Sequence, residues 1–504
     1  MTSRNLDIQQ TELSTSTKGS GNAGDITLDT STLTVARGAQ VFARTNGSGN
    51  SGTITANAST AMNLGIGVED FSPVLSVETS SAGQPGSIIV NTPSLTLSNT
   101  ARITATATNA ATNPQGGGSI TLNASTMDLA GVVGVFAETQ GQTPAGTLTL
   151  KPYQNQFTLN LTLAPQSLVS ASTSGSGKGG NLIVQAPETI TIRGEGQLAV
   201  QTTGDGAAGE LRIDTQRLTI ADGATISAST SSQKPQGTGG SIIINAPESF
   251  NLTDRASLRA QSTGAAPAGN IAIHTGQLTA NNSAIATSSE QSSGGRINIT
   301  ASNIRLFNNS DITSRVNSGA GGGGNVDMKA GSILAFDYSD ILAYAENGRG
   351  GDITLNTPVF FGENYRRVPR DIDPDTLNDN NRVDINATGT LASGNITLPD
   401  TTFIQNSLTE LPENRIDTDS LLASSCIVRR NQPTRGSFTI IGTGGFPQRP
   451  GDAQMSTFPT VDIETLPSDG TFSNRSWQKG DPIVEPQGVY RLPNGKLVLS
   501  RECS

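Results

Sequence analysis

The feature that most constrains this chain is a short phrase that returns along most of its length: a glycine, a polar residue, then two aliphatics flanking one other residue. Gly180-Asn181-Leu182-Ile183-Val184 shows it most clearly. The phrase opens at Gly24, Gly52, Gly86, Gly118, Gly146, Gly180, Gly209, Gly240, Gly269, Gly295, Gly324 and Gly351, and once more at Gly394. From Gly24 to Gly351 the steps average about 30 residues, the range in which self-similarity signals a solenoid. Repeats of that kind contact only their neighbours, so the 504 residues do not imply three or four globular domains.

Each repeat holds three alternating segments. The first follows the glycine, as in Ile88-Ile89-Val90 or Ile242-Ile243-Ile244; the second comes about seven residues later, as in Leu95-Thr96-Leu97 or Leu218-Thr219-Ile220. After one more turn the third appears, as in Ala101-Arg102-Ile103-Thr104-Ala105. Apolar residues at i and i+2 with Thr, Ser or a charge between them suit a strand with one buried face, and none of the runs has helical spacing. Aligning the third segments gives a column Val41, Ile103, Leu198, Ile226, Leu258, Ile285, Ile312 and Ile341, with small residues two positions earlier. Four positions earlier stand Arg37, Asn99, Gly194, Asp222, Asp254, Asn281, Asn308 and Asp337, mostly residues that tolerate positive φ.

These features predict an all-β fold, a right-handed parallel β-helix with three short strands per coil and about 12 to 13 coils, roughly 60 Å long at about 4.8 Å per coil. Residues 1–23 read as an incomplete first coil: Leu6-Asp7-Ile8 matches the second strand and Leu13-Ser14-Thr15 the third, which implies that upstream coils or a cap are missing. The β-helix runs over 24–358, with local excursions at 65–73 and 152–165 and variable loops along one edge after the third strand. Residues 359–404 form a loop insertion, centred on the charged stretch 366–375, and a last coil at Gly394-Asn395-Ile396-Thr397-Leu398. Residues 405–504 form a proline-rich tail ending in a hairpin, with Asn494-Gly495 turning between 489–492 and 496–499.

Low aromatic content (4%), few charges (15%) and 57 glycines would suit disorder were it not for the periodicity. The formal charge of −10 argues against nucleic acid, which needs clustered Lys and Arg. Cys426 and Cys503 are compatible with one disulfide or with two reduced thiols. No run approaches the roughly 20 apolar residues of a membrane-spanning helix. The start, Met1-Thr2-Ser3-Arg4-Asn5, has no signal-peptide core, so the chain is expected to be cytosolic or to lack its true amino terminus.

The carboxy-terminal third carries more specific motifs: Leu411-Pro412-Glu413-Asn414-Arg415-Ile416-Asp417, Leu421-Leu422-Ala423-Ser424-Ser425-Cys426, the stretch from Gly436-Ser437-Phe438-Thr439-Ile440-Ile441 through Gly444-Gly445-Phe446-Pro447, and Glu485-Pro486-Gln487-Gly488. With the repeats, they resemble the cyanobacterial filamentous-haemagglutinin-like exoproteins of two-partner secretion systems, often labelled S-layer family proteins. The resemblance implies an outer-membrane transporter as partner of the full-length form and an extracellular or cell-surface, adhesin-like rod. The amino-terminal secretion domain of that family has no counterpart here, so the chain reads as the carboxy-terminal part of such a protein.

Few residues suggest chemistry. Asp311 and Asp340 share a register 29 residues apart, and as outward-facing carboxylates on adjacent coils they suit either Ca²⁺ or acid/base work, or simply two solvated acids. His274, the only histidine, reads as a turn residue where other coils carry Asn57, Asn91, Asn123 or Asn245. A multi-histidine zinc site is therefore excluded. The glycine phrases lack the Gly-Lys-Ser/Thr of a phosphate loop. Asn57-Ala58-Ser59 matches a glycosylation sequon but is better explained as a turn. Aromatic residues look scattered without a common face, and Trp477 lies in the tail. No catalytic, cofactor-binding or metal-binding residue is assigned. The expectation is a non-enzymatic surface or secreted rod, adhesin-like or structural, touching cells or surface glycans multivalently. The alternatives are a polysaccharide lyase or hydrolase on the same scaffold, and a non-functional fragment.

Overall fold

A computed structural model describes residues 2–67, 73–318, 322–365, 376–377, 380, 382–399, 464–465, 488–491, 494–495 and 497–500. The chain divides into two compact units, Met1–Thr401 and Thr402–Ser504. In the second, Gly488–Arg491 pairs antiparallel with Leu497–Ser500 around Gly495 (φ +83°), and Glu464–Thr465 adds in parallel to the first of these strands. Cys426, Cys503 and Trp477, with the inserted stretch 366–375, lie outside the described residues.

The first unit is a parallel β-solenoid, with no α-helix among its described residues. Alternation explains it: in Ile88–Asn91 and Ser94–Asn99, every second side chain is buried. Each coil then lays its strands on their counterparts one coil away, in parallel. The third strands form a 13-stranded sheet in which Leu198, Ile226, Leu258, Ile285, Ile312 and Ile341 are successive partners. These six side chains are 0 to 1% exposed, so the aligned aliphatic residues form one internal column. The same sheet starts with Glu12–Thr17, where Leu13 pairs with Val41, and ends at Ile385 on Ile341.

The first and second strands are not always separate. In Ile26–Ala36, Ile54–Ile66, Ser241–Thr253 and Asn270–Asn281 they run together as one long strand, so both columns belong to a single 22-stranded sheet. The strand continues through the bend there, although the pairing register shifts at it, between Thr30 and Thr32 and between Ala246 and Ser249. Two irregularities match the sequence excursions. Gly65 (φ +85°) is a bulge residue skipped between the partners of Val35 and Ala36. In Thr158–Leu163 three leucines face inward: the preceding coil pairs with Leu161 and Leu163, the following coil with Leu159 and Leu161. A slip of two residues leaves inside and outside unchanged, because the strand period is two.

The corners explain the repeat. At the corner before the third strand, Arg37, Asn99, Gly194, Asp222, Asp254, Asn308 and Asp337 all have positive φ, between 50° and 95°; at Asn281 the neighbour Asn282 takes that conformation instead. At the phrase glycines the coils touch main chain to main chain. A Cβ on any of them from Gly52 to Gly394 would collide with the carbonyl oxygen of the phrase glycine one coil earlier. The polar residue after the glycine bridges coils: Asp25 Oδ1 accepts the Thr53 N–H at 2.7 Å, Asn270 Oδ1 that of Arg296 at 2.8 Å and Asn325 Oδ1 that of Asp352 at 3.0 Å. The loop entrance is closed by a buried hydroxyl column, in which Thr139, Thr173, Thr202, Thr230 and Ser262 stack. Thr79 donates to the Gly83 carbonyl and Thr202 to that of Gly206, both at 2.6 Å.

Candidate functional site

The corner between the first and second strands carries an extended polar feature. The residue ending each first strand points outward, because the two aliphatics before it fix the alternation. Asp29, Asn57, Asn91, Asn123 and Lys151 fall in register there on five successive coils. Their side chains are linked: Asn57 Nδ2 donates to Asp29 Oδ1 at 2.6 Å, Asn91 Nδ2 to Asn57 Oδ1 at 2.7 Å and Asn123 Nδ2 to Asn91 Oδ1 at 2.5 Å. The ladder thus runs from a carboxylate towards an ammonium, and its last acceptor, Asn123 Oδ1, is buried without a hydrogen-bond partner. Amides repeating at this point in Asn57, Asn91 and Asn123 were visible in the sequence; their bonding to one another was not.

The excursion at 152–157 stands across this edge. On one side lies a depression of about 550 Å³ walled by the ladder, Pro152 and Tyr153; on the other, one of about 440 Å³ walled by Gln156, Gln185, Gln216 and Asn245. His274 continues the same column, exposed, with Asn245 and Thr300 as its partners on the adjacent coils. Neither partner is a carboxylate, so the column gives His274 no acid to orient it as a general base.

Asp311 and Asp340 do stack on adjacent coils, but they are not a pair of solvated acids. Asp340 is 1% exposed, and the structure adds a third carboxylate, Asp384, fully buried in the next coil. Asp311 Oδ1 accepts the Asp340 N–H at 2.8 Å, and Asp340 Oδ1 accepts the Asp384 N–H at 2.7 Å. Arg382 Nε lies 2.9 Å from Asp384 Oδ1, and Asn380 Nδ2 donates to Asp384 Oδ2 at 2.5 Å. Burial, opposed by the Asp384 N–H and augmented by the neighbouring carboxylates, pushes Asp340 up to about 8. These acids tie one coil's main chain to the next. Among the described residues no group of three His, Cys, Asp or Glu side chains converges on a point suited to a metal ion.

The aromatic residues also depart from expectation, since some of them do share a face. Phe307 and Phe336 stack with centroids 5.5 Å apart and planes 6° apart, and Phe361 follows at 5.4 Å, tilted by 40°. Register brings Phe307 and Phe336 together, because the residues after Leu306 and Ala335 meet one coil apart, whereas Phe361 pairs with Leu334 and reaches Phe336 from two positions away. Stacked rings spend their faces on each other, so the ladder cements coils, and only Phe361, 51% exposed, stands largely open.

The first unit is thus a β-solenoid whose exposed edges carry ladders of like side chains. Comparison with protein families, with curated proteins and with solved structures returned no match.

Proposed function

We propose that this chain is a non-enzymatic β-helical rod, surface-exposed or secreted, acting as an adhesin-like or structural exoprotein of the filamentous-haemagglutinin-like type that its carboxy-terminal motifs resemble. Export of the full-length form through an outer-membrane two-partner transporter belongs to this reading. The observation that carries it is the use of polar side chains. Asp311 and Asp340 accept main-chain N–H groups of the next coil, and the amides of the first corner bond to each other. Groups so engaged hold a scaffold, and repeated identical groups along an edge favour many weak contacts over one reaction centre.

The test is a paired assay on the full chain: adherence to bacterial cells and to polysaccharide-coated surfaces, and release of reducing or unsaturated ends from a polysaccharide panel. Adherence without release supports the proposal. Release of ends would replace it with a lyase or hydrolase, and inactivity in both assays would leave the chain a non-functional fragment.

A further inference from the structure

We infer that the groove along the first corner, between Asp29 and Lys151, binds an uncharged polysaccharide chain lying parallel to the solenoid axis. The inference rests on the adhesive reading above and assigns it a site and a ligand class. Five coils contribute to the groove, and four steps of about 4.8 Å make its floor about 19 Å long. Its volume of about 550 Å³ is spread over that length, so it is a trough suited to an extended chain.

The chemistry of the floor selects the ligand. Each Asn of the ladder commits one Nδ2 hydrogen to its neighbour and keeps a second, since a carboxamide carries two. The three amides therefore offer donors repeated once per coil, a spacing close to that of sugar units in an extended glycan. Tyr153 and Pro152 form an apolar end wall. Between Asp29 and Lys151 the floor carries no charge, and the chain's formal charge of −10 repels an anionic polymer. A polypeptide added as a strand would need an open sheet edge, but the strands flanking the groove pair with coils on both sides.

Affinity electrophoresis of the full chain tests this, through gels containing a neutral β-glucan, a galactomannan, polygalacturonate or dextran sulfate. Retardation by a neutral polysaccharide, and not by the anionic two, is expected. Asn91→Ala/Asn123→Ala should weaken it about tenfold or more, from the loss of two hydrogen bonds of ordinary strength. Tyr153→Ala, which leaves the ladder intact, should weaken it as well, whereas Asn356→Ala, in the same column but outside the groove, should not. Full retention of binding by folded Asn91→Ala/Asn123→Ala and Tyr153→Ala proteins overturns the site, and binding confined to the anionic polymers overturns the ligand class. If no polysaccharide retards the chain but it adheres to cells in a way that protease treatment of the cells abolishes, this inference fails while the adhesive reading survives. Absence of both kinds of binding sinks both.

Discussion

Asp340 makes a sharp prediction about stability and pH. Its carboxyl titrates at about 8 in the folded chain, against about 3.9 when unfolded. The folded state therefore holds the proton more tightly. Its contribution to stability is fully present below about pH 4, declines as pH rises towards 8 and is gone above that. At about 1.4 kcal/mol per unit, the window spans on the order of 5 kcal/mol, an upper figure because the coils around Asp340 can open locally before the rest. Asp340→Asn keeps an oxygen for the Asp384 N–H and removes the charge. Urea unfolding and protease susceptibility of the strand Ile341–Asn347, followed from about pH 5 to about pH 9, should show the wild type weakening and the variant nearly level, so that the variant is the more stable at alkaline pH. Burial also raises Glu138, against the pull of Arg102, and this adds a slope of the same sign to both proteins; the difference between them is the reading. Equal slopes in the two proteins, or a wild type stabilised by alkali, would refute the account of Asp340 as a buried acid kept protonated by its surroundings.

Other perturbations follow from the coil contacts. Gly209→Ala puts a methyl into the Gly180 carbonyl and should cost about 1–3 kcal/mol in denaturant melts, whereas at Gly24 a Cβ meets only Thr15 Cγ2 at 3.9 Å and the change should be nearly neutral. Removing the buried hydroxyl in Thr202→Val leaves the Gly206 carbonyl without its donor and should cost about 1–3 kcal/mol, read as faster local hydrogen exchange in the following loop. Phe250→Ala, truncating a fully buried side chain, should cost about 3–5 kcal/mol and loosen first the coils that hold its partners Leu218 and Leu278. Millimolar calcium should leave the melting temperature unchanged, because two of the stacked carboxylates already hold main-chain N–H groups; a rise that is lost in Asp340→Asn would overturn that.

Much of the fold was legible because its rules are local. Strand alternation assigns Ile226, Leu258 and Ile285 to the interior, and the positive-φ corner is marked in most coils by Asn, Asp or Gly, although Gln10, Arg37 and Gln166 take the same conformation before their third strands. The candidate site was legible only in outline. Asn57, Asn91 and Asn123 were recognisable as equivalent turn residues, but the direction of their hydrogen bonds and the orphan acceptor at the end depend on how successive coils face each other. The hydroxyl column had a signal that went unread: Thr17, Thr45, Thr79 and Thr202 each precede a glycine by four residues.

By itself, then, the sequence determined the period and the inward and outward faces, since these follow from the recurrence of the phrase and from alternation. Tertiary structure alone decided which polar groups of a column bond to one another and which are cut off from water. Asp384 reaches Asp340 across 44 residues, with the insertion between them, so no repeat spacing announces the contact. Phe307 and Phe336 likewise stack only once their coils are in register, and Phe361 joins them at a tilt from the coil beyond. The physical reason is that inside and outside are properties of one strand, whereas ladders, burial and the pKa of a carboxyl are properties of neighbouring coils, set by register and by the loops that return the chain to it.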